Sequence, residues 1–262
     1  MPPAPPVDPE LVTTAVDIAR AAGEFTLEFF RNPSLAIDRK GDGSPVTEAD
    51  LGAESLIREA LAERFPLDAI MGEELQDTTG TSGRTWVIDP IDGTKAFTKG
   101  VPFYSNLLAL VDEHGPAIGV INLPALGETV WAGRGLGAFH NGKRCHVSAH
   151  ATLDGAYAMT SGFSYWPRPA LEQVLDSPLT FRTWGDAYGY ALVATGRAEA
   201  MIDPLANPWD VAPMAVIIPE AGGRYSNADG TEGPDAWKTG SGVGTNGVIH
   251  DALLKIWNPS PS

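Results

Sequence analysis

The segment Trp86-Val87-Ile88-Asp89-Pro90-Ile91-Asp92-Gly93-Thr94-Lys95 decides how the rest of the chain is read. An apolar strand, Trp86 to Ile88, delivers two aspartates three residues apart around a proline turn, and Gly93-Thr94 then opens a short helix. Free N–H groups at a helix start bind phosphate oxygens. Carboxylates beside them suit a hard cation such as Mg²⁺, which takes oxygen ligands and shares them with phosphate. The plainer alternative is that Asp89 ends the strand and Asp92 caps the next helix. Against it, apolar flanks bury the turn, and two buried acids without a cation are costly.

Outward from this segment, the N-terminal side reads as helical. Residues 1 to 7 form a proline-rich tail, and Asp8 with Pro9 marks the start of a helix. Leu11, Ala15, Ile18, Ala22 and Phe29 recur at helical spacing, with an end expected near Arg31-Asn32-Pro33. A polar loop, Arg39-Lys40-Gly41-Asp42-Gly43-Ser44-Pro45, is expected to be mobile and leads to a second helix from Thr47 to about Phe65. Downstream, short apolar runs separated by turns predict a mostly antiparallel sheet, with Asn141-Gly142 as a hairpin turn. After about residue 152, strands and helices alternate, which reads as α/β, with one helix expected over 209 to 221. Two packed sub-domains are expected, 1–151 (α+β) and 152–262 (α/β).

The composition excludes several functions. With 33 acidic and 18 basic residues the formal charge is −15, which argues against nucleic-acid binding through a basic surface. The 43% hydrophobic content is enough for a core. No long apolar run and no signal-peptide pattern in MPPAPPVDPE is present, so a soluble, cytoplasmic protein without membrane association is expected. The lone Cys145 cannot form an internal disulfide, in keeping with a reducing compartment. The acidic excess also poses a problem: phosphate handling requires a local reversal of charge.

Three weaker signals surround the central segment. Met71-Gly72-Glu73-Glu74 places an acidic pair after an apolar stretch, Pro208-Trp209-Asp210 starts a helix, and Thr47-Glu48-Ala49-Asp50 has the form of a capping box. Taken singly, they read as an exposed turn, a first-turn acid and a cap. Together with the segment 86–95, GAFHNGK at 137–143, LVATGRAEA at 192–200 and EAGG at 220–223, they resemble the inositol monophosphatase superfamily of metal-dependent, lithium-sensitive phosphomonoesterases.

The resemblance implies a layered αβαβα sandwich with the site between an α+β half and an α/β half. It implies that Glu73, Asp89 and the Ile91 carbonyl hold a first Mg²⁺, and that Asp89, Asp92 and Asp210 hold a second. A third, weaker ion would lie near Glu73. It further implies phosphate contacts from Gly93 and Thr94, activation of the attacking water by Glu73, Thr94 and Asp50, and Lys40 on a mobile loop. Homodimers are common in the superfamily, and a homodimer is expected here. In-line attack by a metal-activated water would need no covalent phospho-enzyme.

Substrate choice is expected to lie in the α/β half. Asp186 follows Phe181-Arg182-Thr183-Trp184-Gly185, and Asp203 precedes Asp210 by seven residues. These GDxYxY and DPxxxPWD runs resemble the histidinol-phosphatase branch of the superfamily. Carboxylates there suit a cationic leaving group. Asp186 and Asp203 are therefore candidates for substrate contact, Arg182 beside them is a further candidate, and histidinol phosphate in histidine biosynthesis is the expected substrate. For Asp186, capping of the following helix is an equal alternative. Inositol 1-phosphate or a broader range of sugar and nucleotide phosphates remains open, as does a catalytically silent relative. All five residues Glu73, Asp89, Asp92, Thr94 and Asp210 are present, which favours an enzyme.

Two further patterns carry little. Cys145, His146 and His150 lack a fourth zinc ligand. The glycines of Gly133-Arg134-Gly135-Leu136-Gly137-Ala138 read as turn glycines between strands rather than a dinucleotide fingerprint.

Overall fold

The computed structural model describes residues 4–41 and 43–257; residues 1–3 of the proline-rich tail and Asp42 of the polar loop lie outside the described residues. The first part of the chain runs α1 (Pro9–Leu27), β1 (Ile37–Arg39), β2 (Pro45–Thr47), α2 (Glu48–Arg64), β3 (Ala69–Gly72), β4 (Thr85–Asp92) and α3 (Thr94–Thr98). Then follow β5 (Ser105–Asp112), β6 (Gly115–Leu123), β7 (Glu128–Gly133), β8 (Gly137–His140) and β9 (Lys143–Arg144). The remainder comprises β10 (Tyr157–Met159), α4 (Arg168–Leu175), β11 (Thr180–Arg182), α5 (Asp186–Ala194), β12 (Ala200–Asp203), α6 (Pro208–Val211), α7 (Met214–Glu220), β13 (Arg224–Ser226), β14 (Gly242–Thr245) and α8 (His250–Trp257).

Local chemistry explains most boundaries. Asp8 caps α1, its Oδ1 accepting from Glu10 N at 2.9 Å, and Pro9 occupies the first turn, where a missing N–H costs nothing. The helix stops at Leu27, short of the expected end near Arg31. Phe29 and Phe30 leave the helical path to pack with Phe97 and Tyr104, and Arg31 takes a left-handed φ of 61°. The expected helix over 209 to 221 is two short helices, because Pro213 has no N–H with which to continue α6. Asn141 and Gly142 both have positive φ, as a tight hairpin turn requires.

Among the described residues the strands form a seven-stranded sheet in the order β3-β4-β5-β6-β7-β8-β9, antiparallel except for β3–β4, and a five-stranded mixed sheet in the order β11-β10-β12-β14-β13. The second sheet includes β13, which the sequence pattern did not indicate. A two-stranded β1–β2 hairpin carries Lys40 at its tip.

Strand alternation sets the layers. On β4 and β5, Trp86, Ile88, Leu108 and Leu110 face α1 and α2. Val87, Leu107 and Ala109 face the opposite way, toward α5 and α7 through Tyr190, Val193, Met214 and Ile217. The second sheet closes that middle layer with Met159 and Met201 and turns Ala158, Ala200 and Ile202 toward α4 and α8. This is the αβαβα sandwich. Strand β4 is buried on both faces, so its read-through apolar run is what a central strand requires. No helix among the described residues is long and apolar enough to cross a membrane.

Candidate active site

Asp89 and Asp92 are three apart on one strand, so strict alternation would put them on opposite faces of the sheet. The pairing of β4 with β5 slips between them: Asp89 lies opposite Leu107 and Asp92 opposite Ser105, one extra residue on β4. That bulge, at Pro90-Ile91, brings both carboxylates to the side facing α5 and α6. The segment is therefore a bulged strand rather than a turn. Asn106 holds the bulge, its Nδ2 donating to Pro90 O at 2.7 Å. Asp92 does not cap α3. Its Oδ2 accepts from Ser105 Oγ at 3.0 Å and from Ala187 N, in the first turn of α5, at 2.7 Å. Asp92 thus caps a distant helix and ties the two sheets together at the site.

Asp210 comes from α6, where Pro208 occupies the first turn and Asn207 N donates to Asp210 Oδ2 at 2.7 Å. Ligand oxygens of Asp89, Asp92 and Asp210 lie within 4.8 Å of one another. Glu73 stands at the end of β3, near enough for its charge to act on Asp89 and Asp210. Its Oε1 accepts from Lys40 Nζ at 2.7 Å, and Glu74 Oε1 lies 2.5 Å from the same ammonium. Asp50 is fully buried at the start of α2, its Oδ2 accepting from Thr47 N and Thr47 Oγ1, and its Oδ1 has no protein partner. Thr94 Oγ1 donates to the Ile91 carbonyl at 3.1 Å. Gly93, with φ 78°, precedes α3, and no side chain caps the helix. Any L side chain at Gly93 would be strained, and its Cβ would lie 3.1 Å from Asp186 Oδ2.

A cleft of about 770 Å³ opens from this cluster toward the second sheet. Asp92, Asp210, Asp186 and Asp203 line it, with Lys95 and Tyr165 on the outer side. Asp186 begins α5 but does not cap it through its side chain; its backbone sits at φ 52°, and its N–H donates to Ser161 Oγ at 2.8 Å. The same hydroxyl donates to Asp203 Oδ1 at 2.8 Å. Ser161 therefore couples the two acids. Arg182 does not join them. It lies on the edge strand β11, away from the cleft lining, with its guanidinium over Tyr157 and Trp184.

Electrostatics state what the cluster needs. Burial pushes Asp89 well above the usual carboxylate range, and the charges of Glu73, Asp92 and Asp210 push it further. Burial likewise raises Asp92, as do Asp186 and Asp210, while Ala187 N–H and Ser105 pull it back. Asp210 is pushed up to about 7 by burial, against the Asn207 N–H. Asp89 Oδ1 is buried without a partner. Crowded oxygen donors with an orphaned buried carboxylate oxygen fit a divalent cation, which removes the repulsion and completes the missing contact.

The sequence profile of the inositol monophosphatase family matches residues 8–261. The chain belongs to the inositol monophosphatase family. It is 41% identical to a histidinol-phosphatase of Mycobacterium tuberculosis over 253 residues, covering 93% of this chain and 96% of that protein. It is 44% identical to a histidinol-phosphatase of Chlorobaculum parvum over 213 residues, covering 80% and 82%. The fold matches the extragenic suppressor protein suhB of Bartonella henselae with a TM-score of 0.88 at 28% identity, over 96% of this chain and 100% of that one. Inositol monophosphatase family members are metal-dependent phosphatases, in keeping with the cluster of Asp89, Asp92 and Asp210.

Three residues of this family member's site carried no sequence signal. Glu54, buried in α2, accepts from Arg58 Nε at 2.7 Å, Glu74 N at 2.8 Å and Leu75 N at 3.2 Å, and so shapes the segment that presents Glu73. Ser105, on β5, and Ser161, in the loop after β10, orient the acids. A buried glutamate in a helix and single serines in strands or loops look unremarkable until the chain is folded.

Proposed function

We propose that the chain, a phosphoric monoester hydrolase of this family, uses Mg²⁺ to hydrolyse histidinol phosphate to histidinol. The observation that carries the reading is the cleft itself. It joins the acid cluster of Asp89, Asp92 and Asp210 to a second acidic pair, Asp186 and Asp203, held by Ser161. A polyol's hydroxyls can also donate to a carboxylate, but the charge of two such acids is of use chiefly to a leaving group that carries an ammonium and an imidazole. The resemblance to the two histidinol-phosphatases supports the same substrate.

Glu73, Asp89, the Ile91 carbonyl, Asp92 and Asp210 would hold two or three ions. When bound, Mg²⁺ offsets phosphate charge and lowers the pKa of water. Gly93 and Thr94 present N–H groups to the phosphate at the uncapped start of α3. Thr94 and Asp50, with Glu73, orient the attacking water and take its proton; Asp50 Oδ1 is the buried acceptor left free for this. Water oxygen bonds to phosphorus as the ester P–O bond breaks on the opposite side, and the departing histidinol oxygen takes up a proton from solvent. In this reading residues 1–151 carry most metal and phosphate ligands, and residues 152–262 carry substrate choice and Asp210. The protein acts as a homodimer in the cytoplasm and is inhibited by millimolar Li⁺.

The test is a Mg²⁺-dependent phosphate-release screen of histidinol phosphate, inositol 1-phosphate, fructose bisphosphate and adenosine bisphosphate. Histidinol phosphate should show the highest kcat/KM. A much higher value for inositol 1-phosphate would overturn the substrate, and no release from any ester would overturn the activity.

A further inference from the structure

Beside the β12 end of the second sheet sits a pair of tyrosines that the reaction described above does not use. Strands β12 and β14 place Asp203 opposite Gly242. A Cβ at Gly242 would lie 2.7 Å from the Tyr190 hydroxyl and 3.0 Å from the Tyr225 hydroxyl. Two phenol oxygens, one from α5 and one from β13, therefore converge beside the β12 end that carries Asp203. The glycine is what lets them approach. Tyr190 and Tyr225 are only 1% and 6% exposed, and neither hydroxyl makes a hydrogen bond of regular geometry. Burial, and then the Asp203 carboxylate, push both phenols well above their ordinary pKa, so both stay protonated close to that charge. Tyr190 also lines the cleft.

A buried hydroxyl without a completed hydrogen bond lowers stability, so phenylalanine would serve better at both positions if packing alone mattered. The hydroxyls have a task. We propose that Tyr190 and Tyr225 are specificity-determining positioning residues: with Ser161 they fix the Asp203 carboxylate at the inner end of the cleft to receive the positively charged part of the leaving group. This rests on the cationic-substrate reading of the same cleft. Gly242 belongs to the device because any larger residue would displace the Tyr190 hydroxyl.

The test uses purified full-length protein with Mg²⁺ and a matched pair of esters, 2-aminoethyl phosphate and ethyl phosphate, with histidinol phosphate alongside. Wild type should favour the ammonium ester by roughly tenfold or more in kcat/KM. In Tyr190→Phe, Tyr225→Phe and the double variant, that ratio should collapse toward one, through KM of the cationic ester. Equal losses on both esters would mark a merely structural role and overturn the inference, as would an unchanged ratio or a wild type indifferent to the ammonium. If Tyr225→Phe does not fold, Tyr190→Phe decides. A wild type that prefers 2-aminoethyl phosphate yet leaves histidinol phosphate intact would retire the substrate named above, and the variant ratios would still decide the role of the tyrosines.

Discussion

Asp92 is the residue on which most of the site converges. It shares a 4.8 Å cluster with Asp89 and Asp210, accepts from Ser105, and receives the first-turn N–H of α5. Asp92→Asn keeps the shape but replaces a charged carboxylate of the proposed metal site with a neutral amide. It should lower kcat by about two to three orders of magnitude with circular dichroism unchanged; near-wild-type phosphate release would refute the role. Asp203→Asn addresses the other end of the cleft. The expected result is a rise of about tenfold or more in KM for histidinol phosphate with a smaller change in kcat, measured by steady-state kinetics. The aspartates were legible in the sequence because their motif is long and because buried acids need a reason. The position of Arg182 was not legible: sequence proximity to Asp186 suggested a shared site, but an edge strand carries its guanidinium onto Tyr157 and Trp184 instead.

At the level of elements, the bulge in β4 and the start of α2 do the positioning. Helix α2 begins where the capping box was read, and Asp50 is both its cap partner and a buried acid of the site. What could not be read is the reach of Glu54 across to the β3 end. Gly72 permits it: a Cβ there would lie 2.0 Å from Glu54 Oε1. Glu54→Ala would leave Arg58 without its carboxylate partner and the N–H groups of Glu74 and Leu75 unsatisfied. Its expected cost is about 3 kcal/mol in urea unfolding, with weaker metal binding as the Glu73 segment loosens. A stability within about 0.5 kcal/mol of wild type would contradict that account. The broken helix over 209 to 221 was hidden because apolar periodicity continues through Pro213 while the hydrogen-bond ladder does not.

For the whole molecule, the αβαβα layering places the acid cluster between two sheets, and burial there makes metal-free folding sensitive to pH. Asp203 and Asp210 sit near pH 7 in the folded chain and near their ordinary 3.8 when unfolded. The folded state thus binds protons more tightly, so stability is highest at low pH and falls as pH rises from about 4 through 7. Metal-stripped protein should melt about 3–6 °C lower at pH 8 than at pH 6, and saturating Mg²⁺ should raise and flatten the curve in calorimetry. Asp112 and Glu128, held low by Arg134 and Arg197 despite partial burial, titrate below this window. The charge of −15 takes on a meaning at this scale: a small part of it is concentrated where bound cations would reverse its sign toward phosphate, and most lies elsewhere on the molecule.

The central claim is that the cluster of Asp89, Asp92 and Asp210 makes phosphate release depend on a divalent cation. It is tested most directly by stripping the protein with chelator and following phosphate release from histidinol phosphate as Mg²⁺ is restored, for wild type and Asp92→Asn in parallel. Wild type should rise from no detectable release to a plateau, and the variant should stay near zero throughout. Full release by the stripped protein, or equal curves for the two proteins, would contradict the account.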